Sequence, residues 1–304
     1  MSQAYTDDRS NIPSPDGASV KCAIDWTLEE AEELYMTLQA TGMDKLHAIE
    51  PATQGDRSLG DLMWTRILRL VDLPAGVFRM RAMGSMPGAP PKVGSGFTVR
   101  IPHPFRIGAV PVTQGVWTAI MGTDRKSPLW TNDGTRYFDP KDDSELPAVN
   151  LLWDEIGGAD GFLDRLNSMT EWLRPEGQIF RVPTDVEWEY ACRAGTTSRW
   201  SFGDDLDGLD AHAWTKRNSG RRIHPVGQKA PNPWGLYDMH GNVGELCKNP
   251  QDSLGLGVTG EGVIRGGNFS SAPLQCLSTS RDICSLGAGC GSHIGFRLII
   301  GMPL

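Results

Sequence analysis

The sequence predicts an α+β fold with low secondary-structure content and many loops, and two observations carry that expectation. The 304-residue chain holds 36 glycines and 21 prolines, residues that interrupt regular elements and set turns. Between them lie short apolar runs, Phe78 to Met80, Phe97 to Ile101 and Phe105 to Ile107, each bounded by turn residues as a short strand would be. Long periodic stretches of the kind a helical bundle needs are few.

The elements follow in chain order. Residues 1–20 are polar and turn-forming and predict a poorly ordered tail. A helix is expected next: Thr27 and Glu30 form a capping box, Ile24, Trp26, Leu28, Ala31, Leu34, Tyr35 and Leu38 supply an apolar stripe, and Gly42 is a stop. Leu62 to Leu70 predicts a second helix or a buried strand. Residues 1–72 thus form an expected amino-terminal extension, packed on a main domain of residues 73–304. Two helices are expected among that domain's strands. The first lies within 152–173, where Ile156, Phe162, Leu163, Leu166 and Met169 fall near helical spacing and glycines 157, 158 and 161 mark an irregular start. The second is DVEWEYACRAG, opened by Thr184 and stopped by Gly195.

Composition removes several function classes. A formal charge of −8 argues against nucleic acid as partner, because that affinity rests on clustered Lys and Arg. Arg217, Arg221 and Arg222 form the notable basic cluster and are expected to be a solvated loop. No stretch approaches the ~18 apolar residues of a membrane span, and the polar start shows no signal peptide, so a cytoplasmic protein is the default expectation. Six cysteines, at 22, 192, 247, 276, 284 and 290, lack the paired short spacing of a zinc ribbon or a disulfide framework. The stretch GLGVTG (255–260) has the letters of a dinucleotide fingerprint but neither the strand before it nor the helix after it that phosphate binding needs, so it is expected to be a loop or strand connector. No nucleophile elbow, zinc helix or Walker sequence occurs. The histidines at 47, 103, 212, 224, 240 and 293 are isolated in sequence, which fits satisfied structural or surface residues. In DMHGNVGE (238–245), alternate residues can aim oxygens at one point: the carboxylates of Asp238 and Glu245 and the main-chain carbonyls of Gly241 and Val243. Hard oxygens of this kind suit Ca²⁺; a polar turn whose acids cap backbone amides is the alternative.

Five collinear segments resemble the formylglycine-generating enzyme (sulfatase-modifying factor) family. They are FRIGAVPVTQGVWTAIMG (105–122), LPAVNLLWDEI (146–156) with FLDRLN (162–167), RVPTDVEWEYACRAGT (181–196), HPVGQKAPNPWGLYDMHGNVGEL (224–246), and VIRGGNFSS (263–271) with IGFRLI (294–299). The resemblance implies an elaborated C-type-lectin-like fold, in accord with the α+β, loop-rich expectation. It also implies calcium at Asp238, Gly241, Val243 and Glu245, although the family's tryptophans on both sides of the matching glutamate are here Gly244 and Leu246.

Catalytic members of that family carry two cysteines, with four residues between them, that bind copper(I) and activate O₂ to oxidise a substrate cysteine to formylglycine. Counting without gaps from Arg265-Gly266-Gly267, the second falls on Cys276 and the first on Ser271. A serine hydroxyl is a hard donor that stays protonated at neutral pH and does not replace a thiolate on Cu(I), so copper is not expected. Cys284 or Cys290 as substitute thiolate would require a different loop path. The sulfoxide-synthase branch uses histidine-bound iron, and the extension offers only His47. The stretch between Gly267 and Gly295, small, polar and apolar residues on a fixed framework, resembles the variable region of diversity-generating retroelement target proteins. That implies a non-catalytic protein binding a protein or other macromolecular ligand through Phe269, Ser270, Ser271, Leu277, Ser278, Ser280, Ile283, Cys284, Ser285, Leu286, Cys290, Ser292 and His293. The alternatives are a copper-dependent oxidase using Cys276 and a structural accessory member of the family.

Overall fold

The structure is a computed structural model and describes residues 12–13, 19–20, 68–81, 96–122, 143–171, 174–248, 261–285 and 291–304. In chain order the strands are β1 (Ile12–Pro13), β2 (Ser19–Val20), β3 (Leu70–Leu73), β4 (Gly76–Arg81), β5 (Gly96–Ile101) and β6 (Phe105–Gly108). There follow β7 (Ile179–Arg181), β8 (Gly244–Cys247), β9 (Glu261–Arg265), β10 (Arg281–Ser285), β11 (Ile294–Phe296) and β12 (Ile299–Gly301). β4 and β5 cover the expected runs at 78–80 and 97–101, and β6 the run at 105–107. The helix expected from Thr27 and the GLGVTG stretch lie outside the described residues. So does most of 62–70, whose last residue opens β3.

Two sheets organise the main domain. One runs β3-β6-β12-β7 with every pair antiparallel. Its central strand is buried on both faces: Ile299 enters one apolar cluster with Trp188 and Leu236, and Ile300 enters the other with Phe162 and Phe296. Successive strand residues point to opposite faces, so two adjacent isoleucines serve two cores. The other sheet runs β10-β9-β8-β11, antiparallel except for the parallel pair β8–β11. That pair sets Ile294 against Gly244 and Phe296 against Leu246, which brings the carboxyl-terminal IGFR beside the DMHGNVGE segment.

A short helix, Gln114–Met121, goes beyond the sequence expectation. Thr113 caps it by accepting the Val116 amide at 3.3 Å, and Gly122 ends it in the left-handed region. Its buried Trp117 stacks on Phe162 with ring centres 5.2 Å apart. The helix expected within 152–173 is two helices, Trp153–Gly157 and Phe162–Met169. The break falls at Gly158, which leaves the first helix with extended φ and ψ of −78° and 175° and where an added Cβ would lie 2.5 Å from the Asp154 carbonyl oxygen. The Asp185–Arg193 helix forms as expected, with Thr184 accepting the Glu187 amide at 3.2 Å and Glu187 accepting the Thr184 amide at 2.8 Å.

One buried ion pair joins these parts. Arg297, fully buried, donates Nε to Glu245 Oε2 at 2.9 Å and Nη2 to Oε1 at 2.6 Å. Its Nη1 also reaches the Gly108 carbonyl at 2.7 Å, and Nη2 the Tyr237 carbonyl at 2.8 Å. Trp188 completes the shell by donating Nε1 to Glu245 Oε2 at 2.7 Å. A second network places Arg265 on Asp185 and Glu189, Arg193 on Glu189 and Arg281 on Asp185.

Glu187 shows what one such contact contributes. Burial raises its pKa, but hydrogen bonds and charge from Arg181, with the Thr184 bonds, outweigh burial and hold it below the usual carboxylate value. Replacing Glu187 with Gln is expected to lower stability by about 1–2 kcal/mol at neutral pH, measured by urea denaturation. Because the folded pKa is depressed, that contribution is present above the unfolded value near 4.5 and fades as pH falls through the folded one. A penalty equally large in acid would contradict the assignment.

Candidate functional site

The terminal loop is built onto the end of β9. Arg265 is fully buried, with its guanidinium 5.1 Å from the centre of the Trp188 ring. Gly266 and Gly267 then turn the chain with φ of 86° and 71°. A Cβ on Gly267 would lie 2.6 Å from Cys276 Sγ and 2.8 Å from the Gln275 carbonyl oxygen. Glycine is required there both by φ and by the close return of the loop.

Ser271 and Cys276, the positions that match the copper cysteines, both approach Asn268. Ser271 Oγ accepts the Asn268 amide at 3.0 Å. Burial pushes the Cys276 thiol up to about 12, against a weaker hydrogen-bond influence from the Asn268 main chain. With a hydroxyl at one of the two positions, at most one thiolate is available here to Cu(I), which prefers a pair of soft sulfur ligands. Two other described cysteines lie elsewhere in the core, Cys192 on the Asp185–Arg193 helix and Cys247 at the end of β8, where burial raises both thiols, Cys192 to about 12. Cys284 sits in β10, where its thiol donates to the Gly262 carbonyl at 3.7 Å. Cys22 and Cys290 lie outside the described residues.

The candidate ligand-binding residues fall into two groups. Ser270, Ile283, Ser292 and His293 are exposed, Ile283 at 50%. Ser278 is fully buried and donates its amide to the Arg199 carbonyl at 2.9 Å, and Ser271 is 9% exposed, so the structure removes both from the accessible face. Phe269 packs on Leu146, Val149, Ile223 and Val243, and Leu277 on Trp200, Leu209 and Ala213; their partial burial makes them anchors more than contacts. Ser280 Oγ accepts the Leu277 amide at 3.1 Å, which closes a turn. Cys284 is half-buried against the core. Ser285 ends β10, opposite Glu261, and Leu286 and Cys290 lie outside the described residues.

An unanticipated polar group holds this loop. His240 donates Nδ1–H to the Cys276 carbonyl at 2.8 Å, and its Nε2 accepts the Ser201 amide at 3.1 Å. Burial pushes its pKa down to about 4, so the ring is neutral at physiological pH with the tautomer its neighbours dictate. Isolated in sequence, it is a satisfied core histidine.

The calcium candidates are differently engaged. Gly241 has φ of 124° and no room for a side chain, since a Cβ would lie 2.2 Å from the Trp214 carbonyl oxygen. Val243 is fully buried. Asp238 Oδ2 accepts the Gly227 amide at 2.8 Å, whereas its buried Oδ1 lacks a partner within hydrogen-bonding geometry among the described residues, although the Asn242 side chain is near enough to oppose the rise of the carboxyl's pKa. Burial pushes that carboxyl up to about 6. Glu245 is committed to Arg297 and Trp188, with Oε1 taking a single hydrogen bond from Arg297.

Two small sheets wrapped in irregular backbone, with the terminal loop carried on β9 and β11, define a C-type-lectin-like fold of the formylglycine-generating enzyme type. The chain matches the sulfatase-modifying factor enzyme 1-like domain over residues 64–302 and belongs to that family. The formylglycine-generating enzyme of Thermomonospora curvata is 26% identical, with alignment over 75% of this chain and 92% of its own. That of Streptomyces coelicolor is 27% identical over 52% of this chain and 55% of its own, so the chain spans about half the length of that curated relative. Among solved structures, Treponema denticola variable protein 1 superposes with a TM-score of 0.59 at 25% identity, covering 76% of this chain and 94% of its own.

Proposed function

We propose that the protein is a non-catalytic ligand-binding module whose carboxyl-terminal segment 269–293 presents side chains to a protein or other macromolecular ligand, as in diversity-generating retroelement variable proteins. The observation that supports it most is the division of that segment. Ser271, Cys276 and Ser278 are buried anchors, while Ser270, Ile283, Ser292 and His293 stand exposed between two buried arginines, Arg265 and Arg297. Side chains on a rigid frame can change what is bound while scarcely changing stability. The likeness to a protein named variable protein 1 supports the same reading. Serine at 271, which removes one of the paired sulfur ligands, disfavours the oxidase alternative.

Simultaneous substitution of Ser270, Ile283, Ser292 and His293 is expected to move the melting temperature by no more than about 4–8 °C, because exposed changes fall within about ±0.5 kcal/mol each, about 2 kcal/mol together. A collapse of the fold would show that these side chains are structural. At the DNA level, a near-copy of the coding sequence for the terminal residues, beside a reverse-transcriptase gene and differing mainly at adenines, is expected. Its absence leaves the structural accessory role as the better account.

We also propose that calcium binds at Asp238 with the Gly241 and Val243 carbonyls, where the unpartnered buried Oδ1 of Asp238 suits a hard cation. Glu245 would contribute through Oε1 at most, and the ion would cross-link the segment without entering chemistry. Calcium is expected to raise the melting temperature of chelator-treated protein and to lose that effect in the Asp238→Asn variant. No shift with added calcium contradicts the site.

A further inference from the structure

The loop 216–222 reads Lys-Arg-Asn-Ser-Gly-Arg-Arg, four basic residues in seven on a chain with a formal charge of −8. It is fastened to the terminal segment. Lys216 donates its amide to the Ser271 carbonyl at 3.1 Å, and Ser219 Oγ donates to the Phe269 carbonyl at 2.8 Å. Its shape is fixed from within: Asn218 Oδ1 accepts the Thr215 amide at 2.9 Å, Ser219 Oγ accepts the Arg221 amide at 3.0 Å, and His224 Nε2 donates to the Ser219 carbonyl at 2.7 Å. Thr215 and Ser219 are buried beneath it. The loop and residues 269–271 therefore form one continuous, pre-shaped surface.

The basic side chains on that surface are largely uncompensated. Arg217 reaches Asp210 at 3.3 Å, while Lys216, Arg221 and Arg222 are exposed and lack a carboxylate partner among the described residues. Arg222 lies near enough to His224 to add to the lowering of its pKa that burial begins.

Backbone strain singles out Arg221, whose φ is 63° directly after Gly220 at 64°. Among the described non-glycine residues with positive φ, Asn150, Asp160, Asp238 and Asn242 are types that tolerate the left-handed region. Ala194 caps a helix, and Arg69 pairs with Glu145 at 2.7 Å. Arg221 has neither excuse. A glycine would relax the turn, so the fold does not explain an arginine there, and strain kept at an exposed charged side chain points to use.

We propose that residues 216–222 form a basic rim of the binding face and that the partner presents an acidic polypeptide segment to it. The proposal rests on residues 269–293 being that face and adds the chemistry of what is bound. Polypeptide is favoured over nucleic acid because four basic residues on one short loop can neutralise few phosphates, whereas nucleic-acid affinity rests on many such contacts.

The test uses the full chain and a fluorescein-labelled oligo-glutamate peptide, with oligo-glutamine and an oligodeoxythymidylate of equal charge as controls, read by fluorescence anisotropy. Oligo-glutamate is expected to bind more tightly than either control and to weaken as salt rises from about 30 mM to about 150 mM. Combined Lys216→Glu, Arg221→Glu and Arg222→Glu substitution is expected to weaken binding at least about tenfold with the melting temperature unchanged. Arg221→Gly is expected to raise the melting temperature yet weaken binding about threefold, an opposition that a purely structural arginine would not produce. Equal binding of oligo-glutamine, unchanged affinity in both variants, or tighter binding of the oligonucleotide each overturns the proposal. The substitutions at Ser270, Ile283, Ser292 and His293 test the terminal segment alone. Their success beside failure here would remove the acidic partner and leave the binding face standing.

Discussion

The Glu245–Arg297 pair is the constraint on which the rest of the structure depends. Neither side chain is solvated, so each charge must be answered inside the protein. Arg297 answers Glu245 and also binds the Gly108 and Tyr237 carbonyls, and Trp188 supplies the remaining donor. One guanidinium thus fixes β6, β8 and the strands at the carboxyl terminus relative to one another. Such a pair adds little net stability compared with a hydrophobic replacement, yet losing one partner strands a buried charge at a cost of about 3–5 kcal/mol. Its effect is to admit one arrangement of strands and to reject others.

That arrangement frees the intervening segment from holding the fold together. The loop from Gly266 to His293 is fastened at a few points: Arg265 and Arg281 on the carboxylates of the Asp185–Arg193 helix, His240 on the Cys276 carbonyl, and the backbone of Asn268 on Ser271. Between the fastenings Ser270, Ile283, Ser292 and His293 face solvent. The residues matching an oxidation site in related enzymes have become fastenings, with Ser271 holding an amide and Cys276 packed against Gly267. The basic loop beside them is similarly rigid, which would lower the entropic cost of binding.

Legibility in the sequence followed the range of each interaction. The cap at Thr184 is local and was readable beside its helix, although its reciprocal partner Glu187 emerged only in the structure. The strands β4, β5 and β6 were readable from turn-bounded apolar runs. The helix Gln114–Met121 was not, because eight residues give too little periodicity. Glu245 read as a calcium ligand because its spacing to Asp238 is visible, whereas its partner Arg297 stands 52 residues away. Burial within 269–293 was equally hidden: the segment is irregular, so no period separates Ser270, exposed, from Ser278, enclosed. The family resemblance supplied the fold but not which of its motif residues are spent on structure.

The central claim is that this chain keeps the family's scaffold without its copper chemistry and uses the terminal segment for recognition. Incubation of the purified protein with Cu(I), O₂ and a cysteine-containing peptide tests that most directly, with copper retention and aldehyde formation followed together. Neither stoichiometric copper binding nor aldehyde above the peptide-only control is expected. Stoichiometric Cu(I) binding accompanied by conversion of the peptide cysteine to formylglycine would contradict it.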